Sequence, residues 1–155
     1  RTAWAHVAAL SGQTFNPAFF QREDFVYDTE PASRAIVTIR HVYPQEALGF
    51  LTRVSAAFYA DNRDVTDAEV LGDLAEESGF NRAEFLAAFV SEAAREATQQ
   101  DFAICRQADI RGFPTLLAGI DRTGDTGPER AYRLVTQGFC ALDDMATALE
   151  QWAAE

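Results

Sequence analysis

The chain has 155 residues, 48% of them hydrophobic, so it can bury one sizeable core. Its formal net charge of −11 argues against nucleic acid and anionic membranes as partners, because both select clustered positive charge. All thirteen basic residues are arginine, which excludes Schiff-base chemistry and a P-loop lysine. No run of eighteen apolar residues occurs, so we expect no membrane-spanning segment.

The start of the sequence indicates that it belongs to a longer gene product or follows a processing step. The first residue is Arg1, and the single methionine is Met145. Residues 2–10 have neither the long apolar core nor the small-residue cleavage site of a signal peptide. The compartment cannot be read directly from these residues, and a cytoplasmic location is the working expectation.

The first two segments are a helix and an aromatic loop. Residues 2–11 are expected to form a helix that ends at Gly12. Residues 13–28 are expected to form a loop with enough apolar surface to pack against the protein or to line a groove. Its aromatic residues are Phe15, Phe19, Phe20, Phe25 and Tyr27.

Two longer helices follow. The first is predicted to begin at Thr29 or Glu30 and to end near Tyr43, with Pro31 in the first turn, where its missing N–H has no cost. The second is predicted from Pro44 to about Tyr59, because its apolar residues recur at helical spacing.

Three further helices are predicted, the first two of them from a capping box. A Ser, Thr or Asn at the helix start, with Glu three residues later, satisfies free backbone N–H groups of the first turn. The first begins at Thr66, with Glu69 three residues later, and ends at Gly79. The second begins at Asn81, with Glu84 three residues later, and ends at Phe89. The third begins at Ser91 and ends near Gln107.

The character of the sequence changes at Ile110. Residues 115–120 are almost entirely apolar, as in a strand covered on both faces, and residues 121–128 are rich in turn formers. Residues 132–136 are predicted to form the returning strand, which Gly138 ends. The last helix is predicted over Leu142 to Ala153, with Leu142, Met145, Leu149 and Trp152 on its apolar face.

These elements predict a helical domain over residues 1–108 and a strand–strand–helix portion over residues 109–155. Two strands do not make a stable sheet, and a strand that is apolar on both faces needs neighbours. We therefore expect further strands to come from residues before Arg1 or from another chain.

The segment Gly112-Phe113-Pro114-Thr115 precedes the first strand. A proline here donates no backbone hydrogen bond and restricts the residue before it, so a turn built around it, sometimes with a cis bond, is expected. The alternatives are that Pro114 is an ordinary loop proline and that Phe113 fills the core.

Four segments, in this order, resemble the DsbA-like branch of the thioredoxin superfamily, and most closely its predicted protein-disulfide isomerases. They are Gly12-Gln13-Thr14-Phe15, Asp28-Thr29-Glu30-Pro31-Ala32, Ala57-Phe58-Tyr59 followed by Asp64-Val65, and Gly112-Phe113-Pro114-Thr115. The resemblance implies an α/β thioredoxin-like fold with a large all-helical insertion. This chain would hold the insertion and the C-terminal ββα half.

The resemblance implies thiol–disulfide exchange with protein or peptide thiols and disulfides as partners. The family's Cys-x-x-Cys is absent from this sequence, so no catalytic residue is expected here and the pair is expected upstream of Arg1. Gly112, Phe113, Pro114 and Thr115 are implied to bind substrate, with a cis Phe113–Pro114 bond whose backbone pairs with an extended peptide.

Two other functions remain open at this stage. One is a redox-inactive peptide-binding module that has lost its thiols. The other is a glutathione-dependent transferase or isomerase of the related kappa type, for which glutathione would be the cofactor; no other cofactor is expected.

The remaining reactive residues are expected to be structural. Cys105 and Cys140 are expected to have structural roles, and a disulfide between them is the alternative. His6 and His41 lack other ligands at metal spacing, and the set Asp61, Asp64 and Asp67 lacks the glycine and glutamate of a calcium loop, so no metal site is expected. Asp28 is expected to act at a helix start, with a binding role as the alternative.

Overall fold

The computed structural model describes the backbone of residues 2–124 and 127–154 and the side chains of residues 3–119 and 132–154. These residues form two compact units, Arg1–Asp101 and Phe102–Glu155. The predicted domain boundary after residue 108 remains a prediction. No helix in the described part of the chain is both long enough and apolar enough to cross a bilayer.

The predicted order of helices, hairpin and final helix is confirmed. Within the described residues there are seven α-helices: α1 (Thr2–Ser11), α2 (Glu30–Val42), α3 (Ala47–Tyr59), α4 (Ala68–Glu77), α5 (Arg82–Phe89), α6 (Glu92–Gln107) and α7 (Leu142–Ala154). Short 3-10 turns cover Pro17–Gln21 and Pro44–Glu46. The helix predicted from Pro44 therefore begins as a 3-10 turn, and its α-helical part, α3, begins at Ala47.

Side chains cap α5 and α6 where the sequence predicts. The Oδ1 of Asn81 accepts a hydrogen bond from the backbone N–H of Glu84 at 3.1 Å. The Oγ of Ser91 accepts one from the N–H of Ala94 at 3.2 Å. Each bond satisfies an N–H group that has no partner inside the helix.

The predicted cap of α4 is wrong by one residue. The Oδ1 of Asp67, not a Thr66 oxygen, accepts a hydrogen bond from the N–H of Glu69 at 2.9 Å. The Thr66 hydroxyl instead donates to Asp64 at 2.6 Å, which removes it from the helix start. Gly79, with a φ of +89°, follows the end of α4 as predicted.

The start of α2 combines two polar contacts. The carboxylate of Asp28 accepts a hydrogen bond from the N–H of Glu30 at 2.9 Å, whereas Thr29 makes no side-chain cap. The Nε of the buried Arg34 lies 3.1 Å from the Oε1 of Glu30, an ion pair without hydrogen-bond alignment. The Arg34 guanidinium also stacks 4.2 Å from the ring centre of Phe89, which links α2 to the end of α5.

The first unit has one continuous hydrophobic core. Helices α2, α3, α4 and α5 each contribute side chains that are less than a tenth exposed. The cluster consists of Ala35, Ile39, Phe50, Val54, Ala57, Phe58, Val65, Leu71, Leu74, Ala75, Phe85 and Phe89. This unit therefore buries its own apolar faces.

The second unit contains an antiparallel hairpin of β1 (Thr115–Gly124) and β2 (Gly127–Gln137). The strands are longer than predicted. The predicted turn is therefore wrong at residues 121–124 and 127–128, which belong to the strands. Residues 125–126 of the predicted turn lie outside the described residues. Pro128 pairs with Thr123 near the end of the ladder, where a missing N–H is tolerated. Gly138, with a φ of +81°, ends β2 as predicted.

The hairpin has a register shift near its base. Leu116 pairs with Thr136, but Leu117 pairs with Leu134, so Val135 is the extra residue of a β-bulge. Among the described residues each strand pairs only with the other.

No described side chain of the second unit is buried, whether in residues 102–119 or in residues 132–154. On the predicted apolar face of α7, Leu142 and Leu149 are exposed, whereas Met145 and Trp152 are half-buried. Exposed apolar side chains also lie on and after β2, namely Tyr132, Leu134 and Phe139. The described residues therefore leave the apolar side chains of this unit partly or wholly exposed.

Candidate functional site

The loop between α6 and β1 contains the four residues implied to bind substrate. The peptide bond between Phe113 and Pro114 is cis, as predicted. The Phe113 side chain is 79% exposed, so the alternative in which it fills the core is wrong. Pro114 is also exposed, whereas Gly112 and Thr115 are half-buried.

Two hydrogen bonds hold the ends of this loop. The Thr115 hydroxyl donates to the carbonyl oxygen of Gly112 at 2.7 Å. The N–H of Gly138 donates to the carbonyl oxygen of Pro114 at 2.8 Å, which ties the loop to the residue after β2. Since the Thr115 hydroxyl already donates, its oxygen can only accept a further bond from a ligand.

The middle of the loop keeps backbone groups available. The N–H groups of Gly112 and Phe113 and the carbonyl oxygen of Phe113 have no hydrogen-bond partner within the described residues. Because their neighbours are exposed, these groups can pair with the backbone of an extended peptide. The loop thus offers both an apolar ring and free backbone groups at the surface.

The approach to the loop is set by an unusual end of α6. Asp109 adopts a φ of +52°, and the N–H of Ile110 donates to the carbonyl oxygen of Cys105 at 3.0 Å. The Asp109 carboxylate lies 2.9 Å from the Nε of Arg111. The sequence signal for this helix end is weak, because a glycine usually occupies the left-handed position and aspartate does so less often.

The two cysteines are free and half-buried. The disulfide that the sequence left open is not formed, and neither thiol lies in the loop of residues 112–115. In the described part of the chain no group of three or more His, Cys, Asp or Glu side chains is placed to hold a metal ion.

In the first unit, the aromatic loop both packs and lines a groove. Trp4 stacks on Phe19 with ring centres 5.1 Å apart, and Phe19 meets Phe58 of α3 at the same separation. Phe25 and Tyr27 line a cavity of about 200 Å³ between α2 and α3. Asp28 also lines this cavity, so its helix-start contact and the alternative binding role are compatible.

A tyrosine pair lies in the wall of this cavity. Burial raises the pKa of Tyr59 to about 12, and a hydrogen bond with the Tyr27 side chain adds to the shift. Sequence reasoning missed this pair, because Tyr27 and Tyr59 are 32 residues apart and no motif joins them.

Comparison with known proteins supports the resemblance. The thioredoxin family model Thioredoxin_5 matches residues 39–127, more than half of the chain. The crystal structure of a candidate protein disulfide isomerase from Nitrosomonas europaea has a TM-score of 0.88 and 29% identity. That similarity covers 99% of this chain and 71% of the Nitrosomonas chain.

A second solved structure, the cytosolic disulfide reductase DsbM from Pseudomonas aeruginosa, has a TM-score of 0.75 and 23% identity over 97% of this chain and 73% of that one. The same protein solved with GSH gives a TM-score of 0.75 and 22% identity over the same shares of the two chains. At this identity the likeness concerns the fold. The chain therefore belongs to the thioredoxin family, and it has the thioredoxin-like fold of the DsbA-like branch.

Proposed function

We propose that this chain is part of a thiol–disulfide oxidoreductase or isomerase of the DsbA-like family that acts on protein or peptide thiols and disulfides. The observation that carries the proposal is the exposed loop at Phe113 and Pro114, with its unpaired backbone groups, in a chain of the thioredoxin family. The Nitrosomonas relative, named as a candidate protein disulfide isomerase, supports it.

The catalytic cysteine pair is proposed to lie upstream of Arg1 in the same gene product. In the exchange, a thiolate attacks one sulfur of the substrate disulfide, and the other substrate sulfur leaves as a thiolate. The second cysteine then attacks the mixed disulfide, so that the pair is oxidised and the substrate is reduced. The reverse sequence oxidises a substrate dithiol.

The loop is proposed to position the substrate. Backbone pairing with Gly112 and Phe113 would hold a peptide in extended form, and the Phe113 ring would cover its neighbouring side chain. The strands missing from the sheet are proposed to come from the same upstream segment or from another chain. A cytoplasmic location is part of the proposal, and the Pseudomonas protein is named as cytosolic.

Insulin reduction tests the proposal. We expect the longer gene product to reduce insulin and the 155-residue chain alone to give no turnover above the uncatalysed rate. Cys105→Ser and Cys140→Ser, made in the longer product, should leave the rate unchanged. Equal activity in the chain and the longer product, or loss of activity in either cysteine variant, would overturn the proposal.

The role of the loop is tested by paired phenylalanine variants in the longer product. Phe113→Ala should raise KM several-fold with kcat nearly unchanged, because binding contacts common to ground and transition state are lost. The control is Phe139→Ala, also an exposed phenylalanine of the second unit, 53% exposed, for which no change in KM is expected. An equal effect of both variants would contradict a specific role for the loop.

The absence of Cys-x-x-Cys from these 155 residues favours one second candidate, a redox-inactive peptide-binding module. Serine or alanine at both positions of the upstream motif would favour this candidate. A longer product that binds peptides but does not reduce insulin would establish it.

A further inference from the structure

The cavity between α2 and α3 has the form of a binding pocket. Its floor is made of the buried side chains of Val54, Phe58 and Val65. Tyr27 and Leu51 line its wall and are themselves exposed, so the cavity opens to solvent between apolar side chains. The pocket lies wholly within the first unit.

The size of the pocket suits a single aromatic ring. Its volume is about 200 Å³. A dry cavity of about 150 Å³ lined by apolar side chains accepts benzene, whereas pockets for larger ligands are roughly 300–1,000 Å³. Phe25 and Tyr27 lie with their ring centres 5.9 Å from that of Phe58, and aromatic pairs favour such separations.

The charge of the pocket disfavours anionic ligands. Of the fourteen lining residues, all within the described part of the chain, only Asp28 carries a formal charge, and it is negative. The chain as a whole has a net charge of −11. An uncharged ligand therefore meets no electrostatic repulsion, whereas a carboxylate or phosphate would be repelled by Asp28 and would find no cationic partner.

Two serine hydroxyls in the wall are available for hydrogen bonds. Helical hydroxyls of this chain commonly donate to the carbonyl oxygen four residues earlier, as those of Thr38, Thr52 and Thr98 do. Ser33 and Ser55 line the pocket, are half-buried, and make no side-chain hydrogen bond to any described residue. Each hydroxyl can donate to a carbonyl oxygen or accept from an N–H group, so a ligand with amide groups beside its ring can pair with both.

The apolar surface continues beyond the pocket. Val26, between two lining residues of the aromatic loop, is 76% exposed, and Leu48, three residues before Leu51 on the same face of α3, is also 76% exposed. A free ring would leave this surface uncovered. A polypeptide would place one side chain in the pocket and its neighbours on the rim.

We propose that this pocket anchors one uncharged aromatic side chain of an extended polypeptide, with peptide amides bonded to Ser33 and Ser55. The proposal adds a recognition site to the proposed function and rests on it for the nature of the partner. It predicts that the protein prefers substrates that expose a phenylalanine or tyrosine, as unfolded chains do.

The test measures the binding of a cysteine-free, uncharged peptide, acetyl-Ala-Ala-Phe-Ala-Ala-amide, to the 155-residue chain. Binding is detected from the NMR chemical shifts of the backbone amides. We expect shifts at Ala32, Ser33, Ser55 and Thr66, and at least tenfold weaker binding of the peptide with alanine in place of phenylalanine. Equal affinity of the two peptides, or shifts confined to other residues, would overturn the proposal. Toluene binding as tightly as the peptide would also overturn it, since a ring alone would then suffice.

Neighbouring positions on α3 supply matched variants. Ser55→Leu should fill the pocket and weaken peptide binding at least tenfold, whereas Ala56→Leu, at an exposed position that does not line the pocket, should leave binding unchanged. If Ser55→Leu fails to fold, Ala32→Leu fills the pocket from α2. Unchanged binding in a folded pocket-filling variant would contradict the proposal.

Because the peptide has no thiol, these results do not depend on disulfide exchange. If the chain binds the peptide but the longer product does not reduce insulin, the pocket proposal stands and the oxidoreductase proposal fails. If the longer product reduces insulin but the chain does not bind the peptide, the oxidoreductase proposal stands and the pocket proposal fails.

Discussion

The two units of this chain differ in how far they bury their own apolar residues. In the first unit, α2, α3, α4 and α5 enclose a twelve-residue core. In the second, no described side chain is buried, and Tyr132, Leu134 and Phe139 are exposed on and after β2. Both units have regular secondary structure, so the difference lies in packing and not in local propensity.

The comparison teaches that secondary structure and a complete core are separate properties. A two-stranded hairpin gains little stability unless its face packs against further strands or a helix. The second unit contains the proposed substrate loop, and all of its described side chains are at least partly exposed. The first unit buries a core of its own, and it holds the proposed pocket.

The largest expected contrast is between leucines of the two units. Leu71→Ala, at a position with no exposure, should lower the free energy of unfolding by about 2–5 kcal/mol, because it leaves a cavity in the core. Leu134→Ala, at a position 58% exposed, should change it by less than about 0.5 kcal/mol. Urea denaturation measures both, and similar losses would contradict the difference between the units.

A smaller effect is expected at a helix start of the first unit. Asp67→Ala removes the acceptor for the N–H of Glu69 and should cost about 1 kcal/mol. The side chain of the exposed Asp61 makes no hydrogen bond or ion pair to the described residues, so Asp61→Ala should cost less than about 0.5 kcal/mol. Equal losses would show that the cap does not contribute.

The last expected effect, confined to high pH, concerns the pH dependence of the first unit. Burial raises the pKa of Tyr59 from 10.0 to about 12, so the folded state holds the phenol proton more tightly than the unfolded state. The stability from this group is complete below pH 10 and is lost as the pH rises to about 12. Absorbance titration should show one tyrosine with a pKa near 12, and Tyr27→Phe should lower this pKa. A pKa near 10 for Tyr59 would contradict the account.

The sequence predicted the helices and the hairpin because their signals are local. Apolar spacing, Pro31, Asn81 and Gly138 each act within a few residues, and each prediction at those positions is confirmed. The cap of α4 was wrong because Thr66 and Asp67 are both good capping residues, and the contact of Thr66 with Asp64 decides between them.

The site could be predicted only in part. The loop at Pro114 is contiguous in sequence, so its motif can be recognised. The pocket joins Tyr27, Ser33, Ser55 and Tyr59 through the packing of α2 against α3, and no spacing in the sequence reveals that contact. The exposure of Phe113 depends on tertiary contacts, which the local sequence does not reveal.

The most direct measurement of the central claim is hydrogen exchange of backbone amides in this chain and in the proposed longer gene product. If further strands complete the sheet, amides of β1 and β2 should exchange at least about tenfold more slowly in the longer product, while those of α2 to α5 stay unchanged. Hairpin amides that are already as protected as those of α3, and equally so in both proteins, would contradict the claim that the second unit needs strands from outside these residues.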